Sequence, residues 1–347
     1  MGEIKTEKEY RALERDSSSS LKEFSLDRRK YYKKYVKLEK ITDEDDSKAS
    51  VVGRIVETLL FEKDKFEDKF YLSGIKKAPT GLMADFVEAL YKRTSEATNE
   101  AGEVTKDFKE ITKQAHIDSG FKIGLEAVLG KFIGSDAEIF YKEIREVRTK
   151  GLTVVTEDDI TNGEKIVNEL RSNDTTGPIL NLVNSDRYTI FVQKQVEEYE
   201  VDGLPLKSMM DLVIIDHKEK TIQVYDLKCS WSVEGFYKEY YLYRRAYIQA
   251  YVYKEAAYKI KEDMGLEYYK VLNPCFIVCD SINYYSPLIY TLDVDDMDDA
   301  YNGFTHEGRK YPGVKEIIED LKWAKKSDKW NISRTNFLNG GIVNIKN

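Results

Sequence analysis

Residues 209–230 read MMDLVIIDHKEKTIQVYDLKCS. Two runs rich in apolar and β-branched residues, Met209–Asp216 and Thr221–Lys228, flank the polar tetrapeptide HKEK at His217–Lys220, which is the pattern of a β-hairpin. Side chains alternate faces along a strand. Asp211 therefore shares a face with Val213 and Ile215, and Asp226 and Lys228 share one with Ile222 and Val224. Both apolar faces end in carboxylates, at the end away from the turn. If the runs pair about HKEK, Asp211 lies opposite or diagonal to Asp226, roughly 5–8 Å away. Two carboxylates and a lysine closing an apolar face are costly unless something pairs them. Two readings are open at this point. One is an ordinary hairpin in which Lys228 is the salt-bridge partner of the two aspartates. The other is a site in which the carboxylates hold a divalent cation. Mg²⁺ takes one or two carboxylates and completes its shell with waters and phosphate oxygens. A lysine beside it would orient a water and stabilise charge on phosphorus.

Outward from the hairpin, strand patterning begins near Tyr188, in RYTIFVQKQVEEYEVDG. After the hairpin a long Tyr-rich helix is expected from about Gly235 to Ile260. On it Leu242, Ala246, Gln249 and Tyr253 fall on one stripe. A Gln on an otherwise apolar stripe either bonds to core backbone or makes a polar contact at the sheet's edge. Two further strands follow, NPCFIVCDS and SPLIYTLDV, then a helical segment from about Asp296 that turns polar and irregular after Trp330. Upstream, Ser17–Ser20 is a plausible N-cap run for SLKEFSLDRRKYYKKYVKL. The acidic stretch Asp43–Asp46 then leads into a strong helix at Ala49–Phe61. Residues from about Asp85 to Lys150 read as helical and highly charged, and Glu157–Arg171 as a further helix. The order of helices, sheet, long helix, sheet and helix predicts an α/β or α+β core, a central mixed sheet flanked by helices. The expected division is an N-terminal helical arm at 1–48, a main domain at 49–305 with a helical insert at about 86–150, and a C-terminal tail at 306–347.

Composition limits the function classes. The 347 residues carry 54 Lys and Arg against 62 Asp and Glu, a formal net charge of −8. That excludes a chain coated in positive charge but leaves room for a local basic face. Three cysteines exclude a disulfide scaffold and fit a reducing, cytoplasmic compartment. MGEIKTEKEYRALERD has no apolar run, so no secretory signal is expected. No stretch approaches about 18 apolar residues, so no membrane span or membrane partner is expected. No Walker-type phosphate loop and no His-based zinc spacing occur, and His217 is expected in solvent at the turn. Glu57 is the only charge in IVETLLF, residues 55–61. It is either an edge residue or a carboxylate that wants a cation. The basic-aromatic run at Arg28, Arg29, Lys30, Tyr31, Tyr32, Lys33, Lys34 and Tyr35 suits a phosphate backbone, as do Arg244, Arg245 and Lys207. A solvated amphipathic helix explains the run equally well.

Taken together, Asp211, the triplet Asp226-Leu227-Lys228, and Gln249-x-x-x-Tyr253 resemble the PD-(D/E)xK nuclease motif set in its RecB-like form. The resemblance is nearest to the RecE-type (exodeoxyribonuclease VIII) exonucleases of phages and prophages. That group opens with a Ser-Leu-Lys phrase, here within SSSSLKEFSLDRRKYYKKYV. It continues with a Gly-led helix, here VVGRIVETLLFEKDKFEDKFYLS, and a Gly-x-Pro-x-Lys approach to the first Asp, here GLPLKSMMDLVIID. The likeness runs from about Ser17 to Asp293. Three departures stand out. Met210 occupies the proline position, Glu57 stands where the group usually has His (as in lambda-type exonucleases), and the 97–150 segment is longer than the pattern. The resemblance implies a restriction-endonuclease-like core and metal held by Glu57, Asp211, Asp226 and the Leu227 carbonyl. It implies Lys228 as the catalytic lysine, with Gln249 and Tyr253 against the site. The implied activity is Mg²⁺-dependent (Mn²⁺ possible) exonuclease action on double-stranded DNA ends, 5′ to 3′, in phage recombination or DNA processing. A homo-oligomeric ring and a single-strand annealing or recombinase partner are implied too. A structure-specific or single-strand endonuclease, and a catalytically silent DNA-binding or phage structural protein, remain as alternatives.

Overall fold

The computed structural model describes residues 6–39, 48–99 and 103–343, so the Asp43–Asp46 stretch lies outside the described residues. The chain divides into two compact units, Asp46–Val167 and the remainder, Met1–Asp45 with Asn168–Asn347.

The Asp46–Val167 unit is mostly helical, with helices at Lys48–Phe61, Leu82–Glu96, Phe108–Asp118, Leu125–Phe132 and Asp136–Val147. Phe86 and Leu90 are one turn apart on the second of these. They pack with Ile111, Ala115, Val128 and Ile144 into a core of the unit's own. Burial of each side chain larger than alanine contributes about 2 kcal/mol. Thr94 and Tyr141 share a buried hydroxyl–hydroxyl bond of 2.8 Å across that core. Phe70–Leu72 and Thr153–Val155 pair in parallel.

The other unit holds the central mixed sheet, flanked by helices. Tyr188–Val201, Leu204–Asp216 and Thr221–Ser230 form an antiparallel meander, joined by Cys275–Asp280 in parallel and by Leu288–Tyr290 at the edge. The hairpin turns at HKEK as its pattern predicts, with Ile215 across from Ile222 and Val213 across from Val224. Those four side chains are fully buried under the helix Ala246–Asp263, against Tyr247, Ile248 and Val252. The connection from Thr221–Ser230 to Cys275–Asp280 is a crossover containing that helix, as a parallel pair requires. His217 is not in open solvent. It is half-buried, with its ring nitrogens 2.8 Å from Thr189 Oγ1 and 2.9 Å from the Tyr269 hydroxyl.

The Tyr-rich helix expected as one element is two. A π-helical segment at Tyr237–Tyr243 ends at Arg244, and the regular helix starts at Ala246. Between them Arg245 adopts a left-handed backbone with φ +56°, which for a residue with a Cβ costs about 1 kcal/mol. The break brings Tyr241 and Tyr247 edge to face at 5.9 Å. Leu242, Ala246, Gln249 and Tyr253 are all buried, although the break interrupts the helical register between the first and the rest.

Residues 306–338, expected as a tail, contribute a strand and the helix Val314–Ser327, whose Val314, Ile317, Ile318 and Leu321 lie in the sheet unit's core. Gly313 opens that helix where backbones meet most closely. A Cβ there would overlap backbone atoms of Tyr301, Asn302 and Gly303. Gly313→Ala should therefore destabilise the protein by about 3 kcal/mol, read as a clear drop in melting temperature. An unchanged melting temperature would show that this crossing can relax.

Candidate active site

The site is assembled where the hairpin comes apart. The last ladder pair between its strands is Leu212 with Tyr225. One residue further, the Asp211 carboxylate replaces the ladder and accepts the Leu227 backbone N–H at 2.8 Å through Oδ2. On the other flank Asp211 faces Gln193, whose φ of +47° bends the neighbouring strand. The core-facing positions also change parity here, from Leu206 and Met210 to Val213 and Ile215. Asp211 thus sits at a backbone irregularity, half-buried.

Asp226 is 1% exposed. Its Oδ1 accepts a hydrogen bond from Gln249 Nε2 at 2.8 Å, and its Oδ2 meets the Lys228 ammonium in an ion pair. Lys228 Nζ also lies 3.4 Å from the Leu227 carbonyl oxygen. Gln249 Nε2 donates to the Tyr253 hydroxyl as well, at 2.9 Å, and that hydroxyl donates to the Met209 carbonyl at 2.8 Å. Gln249 and Tyr253 are one helical turn apart, so both reach the sheet from a single face. Burial pushes the Tyr253 phenol well above its usual value, and the Asp226 and Asp211 carboxylates push the same way. The phenol therefore stays protonated as a donor at neutral pH. The Met209–Lys228 hairpin and the Gln249–Tyr253 turn meet through these bonds.

The predicted cations divide into two groups. Arg244 is exposed, with its guanidinium 4.5 Å over the Tyr240 ring. Tyr240 donates to the Cys229 carbonyl at 2.9 Å, so Arg244 is tied to the strand just past Lys228. Arg245 is half-buried and its Nη1 has no hydrogen-bond partner. Arg29 is exposed and lines, with Lys30 and Lys33, a groove of about 1090 Å³. Arg28 is spent inside the molecule, on Asp320 and on the Ile332 carbonyl at 2.8 Å. Lys207 requires a correction, because it does not face a ligand. It is 7% exposed, and its ammonium donates to the carbonyls of Tyr10, Arg11 and Leu13 at 3.0, 2.9 and 2.8 Å. Three carbonyls at the end of a short N-terminal helix form a better sink for this charge than a polyanion in solvent.

Glu57, expected as a third ligand, is half-buried on Lys48–Phe61 in the other unit. Among the described residues no group of three or more His, Cys, Asp or Glu side chains comes together that could hold a metal ion. The acidic donors of the sheet site are Asp211 and Asp226. That pair still suits Mg²⁺, which needs no more than two carboxylates when waters and phosphate oxygens supply the rest. The Asp226 oxygen with no hydrogen bond, now facing the Lys228 ammonium, is an acceptor of the right hardness.

One residue escaped the sequence reading. Lys22, on the helix Ser18–Leu26, donates to Gln249 Oε1 at 3.0 Å. Its signal was present as the lysine of the Ser-Leu-Lys phrase, but nothing in the local pattern connects it to a residue 227 positions later. Burial holds its ammonium down to about 8, reinforced by the charges of Lys228 and Arg244, while Asp226 pulls the other way.

No protein-family model and no curated protein matches the chain. Among solved structures it is similar to the crystal structure of a "Putative exonuclease" from Eubacterium rectale, at 12% identity and a TM-score of 0.48, covering 99% of this chain and 89% of that one.

Proposed function

We propose that the protein is a Mg²⁺-dependent deoxyribonuclease that hydrolyses phosphodiester bonds, acting as an exonuclease on double-stranded ends. One observation carries the reading. Asp226, inside the apolar core, has one oxygen on the Gln249 amide and the other on Lys228, with Asp211 at the same strand end. An ordinary hairpin needs none of this, since a buried charged pair is rarely a net source of stability. Asp211 and Asp226, with the Leu227 carbonyl, would hold the metal, which would supply Lewis-acid stabilisation of phosphate charge. The chain's own residues do the rest. Gln249 and Tyr253 fix the Asp226 carboxylate, and the Lys228 ammonium presents N–H donors to a phosphate oxygen or to the attacking water. Hydrolysis forms the bond from water oxygen to phosphorus and breaks the bond to the leaving sugar oxygen, which takes up a proton.

The polarity proposed is 5′ to 3′. A ring-shaped homo-oligomer that threads DNA and a single-strand annealing partner belong to the same proposal, supported by the motif resemblance alone. The test is digestion of end-labelled linear duplex beside closed circular DNA. Mg²⁺ should support progressive loss of the linear substrate, EDTA should abolish it, and Mn²⁺ should restore it. Cutting of the closed circle would replace the exonuclease reading with an endonuclease. A folded protein that binds DNA but cuts neither substrate would leave only the DNA-binding alternative.

A further inference from the structure

We propose that Lys22 is a substrate-contacting residue of this site, its ammonium binding a non-bridging oxygen of the phosphodiester to be cut. The inference rests on the nuclease reading and adds to it a residue from outside the hairpin and the long helix.

The N-terminal segment is built to deliver this side chain. Asp16 pairs with the Leu204–Asp216 strand, its carbonyl accepting the Lys207 N–H at 2.8 Å. The Lys207 ammonium clamps the residues just before it. Ser17 and Ser20 cap the helix that follows reciprocally, and Leu21 and Phe24 bury its inner face. Lys22 then projects to Gln249.

What it meets there is unusual for a structural lysine. Its one hydrogen-bond acceptor is a neutral amide oxygen, and among the described residues it has no carboxylate in ion-pair contact. An ammonium has three donors, so two are left over. The charges that act on it are two other cations, Lys228 and Arg244, and the Asp226 carboxylate, which is already ion-paired with Lys228. Three cations drawn from three elements repel one another across a partly desolvated space. A merely structural position would be better filled by an uncharged side chain. A phosphodiester oxygen placed among them offsets that repulsion and takes up the spare donors. The bond to Gln249 Oε1 has a second effect. It orients the amide so that Nε2, not the oxygen, faces Asp226.

The experiment compares wild type, Lys22→Met and Lys22→Arg in cleavage of linear duplex with Mg²⁺. Binding of a short fluorescein-labelled duplex is measured in Ca²⁺, and melting temperatures are recorded. Lys22→Met should lower kcat/KM by about 100-fold, as loss of one charge-stabilising donor does. It should also weaken duplex binding by about 10-fold and leave melting nearly unchanged. Lys22→Arg should recover most of both losses. Wild-type kcat/KM and binding in Lys22→Met would overturn the proposal, as would an arginine variant that folds but performs no better than methionine. A second measurement needs no variant. Amine acylation of wild type, read by peptide mass, should label Lys22 in the free protein and be suppressed by duplex DNA. Labelling at an undiminished rate with DNA bound would also overturn it. If wild type itself fails to cut DNA, the proposed function fails. If wild type cuts and Lys22 proves dispensable, only this inference does.

Discussion

Asp226→Asn is expected to abolish Mg²⁺-dependent cleavage, with a loss of 10³-fold or more, while leaving the melting temperature close to that of wild type. The two halves of this expectation have separate causes. Asparagine keeps the shape of the side chain and an oxygen for the Gln249 amide, whose bond to Asp226 Oδ1 measures 2.8 Å. It also removes the more buried charge of the pair, 1% exposed, so the desolvation cost of that carboxylate is lost together with its ion pair. Lys228 is partly exposed and can turn its ammonium to water. Stability should therefore change by no more than about 1 kcal/mol. In the proposed site, activity would depend on the missing charge, since a neutral amide neither balances Mg²⁺ nor places Lys228. Lys228→Met should lose about 10²–10³-fold in rate and some stability as well, because it leaves the 1% exposed Asp226 carboxylate without its cation. If the aspartate and lysine were only a strand-end salt bridge, both variants would melt early and cleave at the wild-type rate. Initial rates on linear duplex together with thermal melts decide between the two patterns.

Lys207→Met should do the opposite, acting first on stability. Three backbone carbonyls, of Tyr10, Arg11 and Leu13, lose their donor at once. A hydrogen bond to a charged group contributes about 1.5–3 kcal/mol. Burial already lowers the pKa of this lysine, helped by the nearby positive charge of Arg11, with Asp16 acting in the opposite direction. The bonds therefore offset part of a desolvation penalty, and the net loss should be about 3 kcal/mol. The first chain cut in limited proteolysis should move to residues 6–16, the segment the clamp holds. Cleavage activity should fall with it, because the same segment carries Lys22 to Gln249. A variant with the wild-type melting temperature and digestion pattern would show that the clamp is incidental.

The net charge of −8 is an average over unlike surfaces. Locally, Lys228 is ion-paired with Asp226, and Lys22 feels the charges of Lys228, Arg244 and Asp226.

Much of the candidate site was legible in the sequence, for identifiable reasons. A strand repeats every two residues and a helix every 3.6. The hairpin, its turn, the faces of Val213, Ile215, Ile222 and Val224, and the one-turn spacing of Gln249 and Tyr253 therefore follow from local pattern. So does the placing of Asp226 and Lys228 at the end of an apolar strand. Local pattern says nothing about what another segment brings. Lys207 and Lys22 are both lysines near motif residues, and no periodicity separates them. The fold sends the first into three carbonyls and the second to an amide beside Asp226. Arg28 looked like a phosphate contact until Asp320, far along the chain, took its charge. The break at Arg245 was invisible for a related reason. Its sequence is compatible with a continuous helix, and only the meeting of Tyr241 with Tyr247 accompanies the left-handed turn. The sequence by itself determined which residues share a face within each unbroken stretch of strand or helix. The tertiary structure alone decided which charges those faces meet, because that depends on contacts between residues hundreds of positions apart.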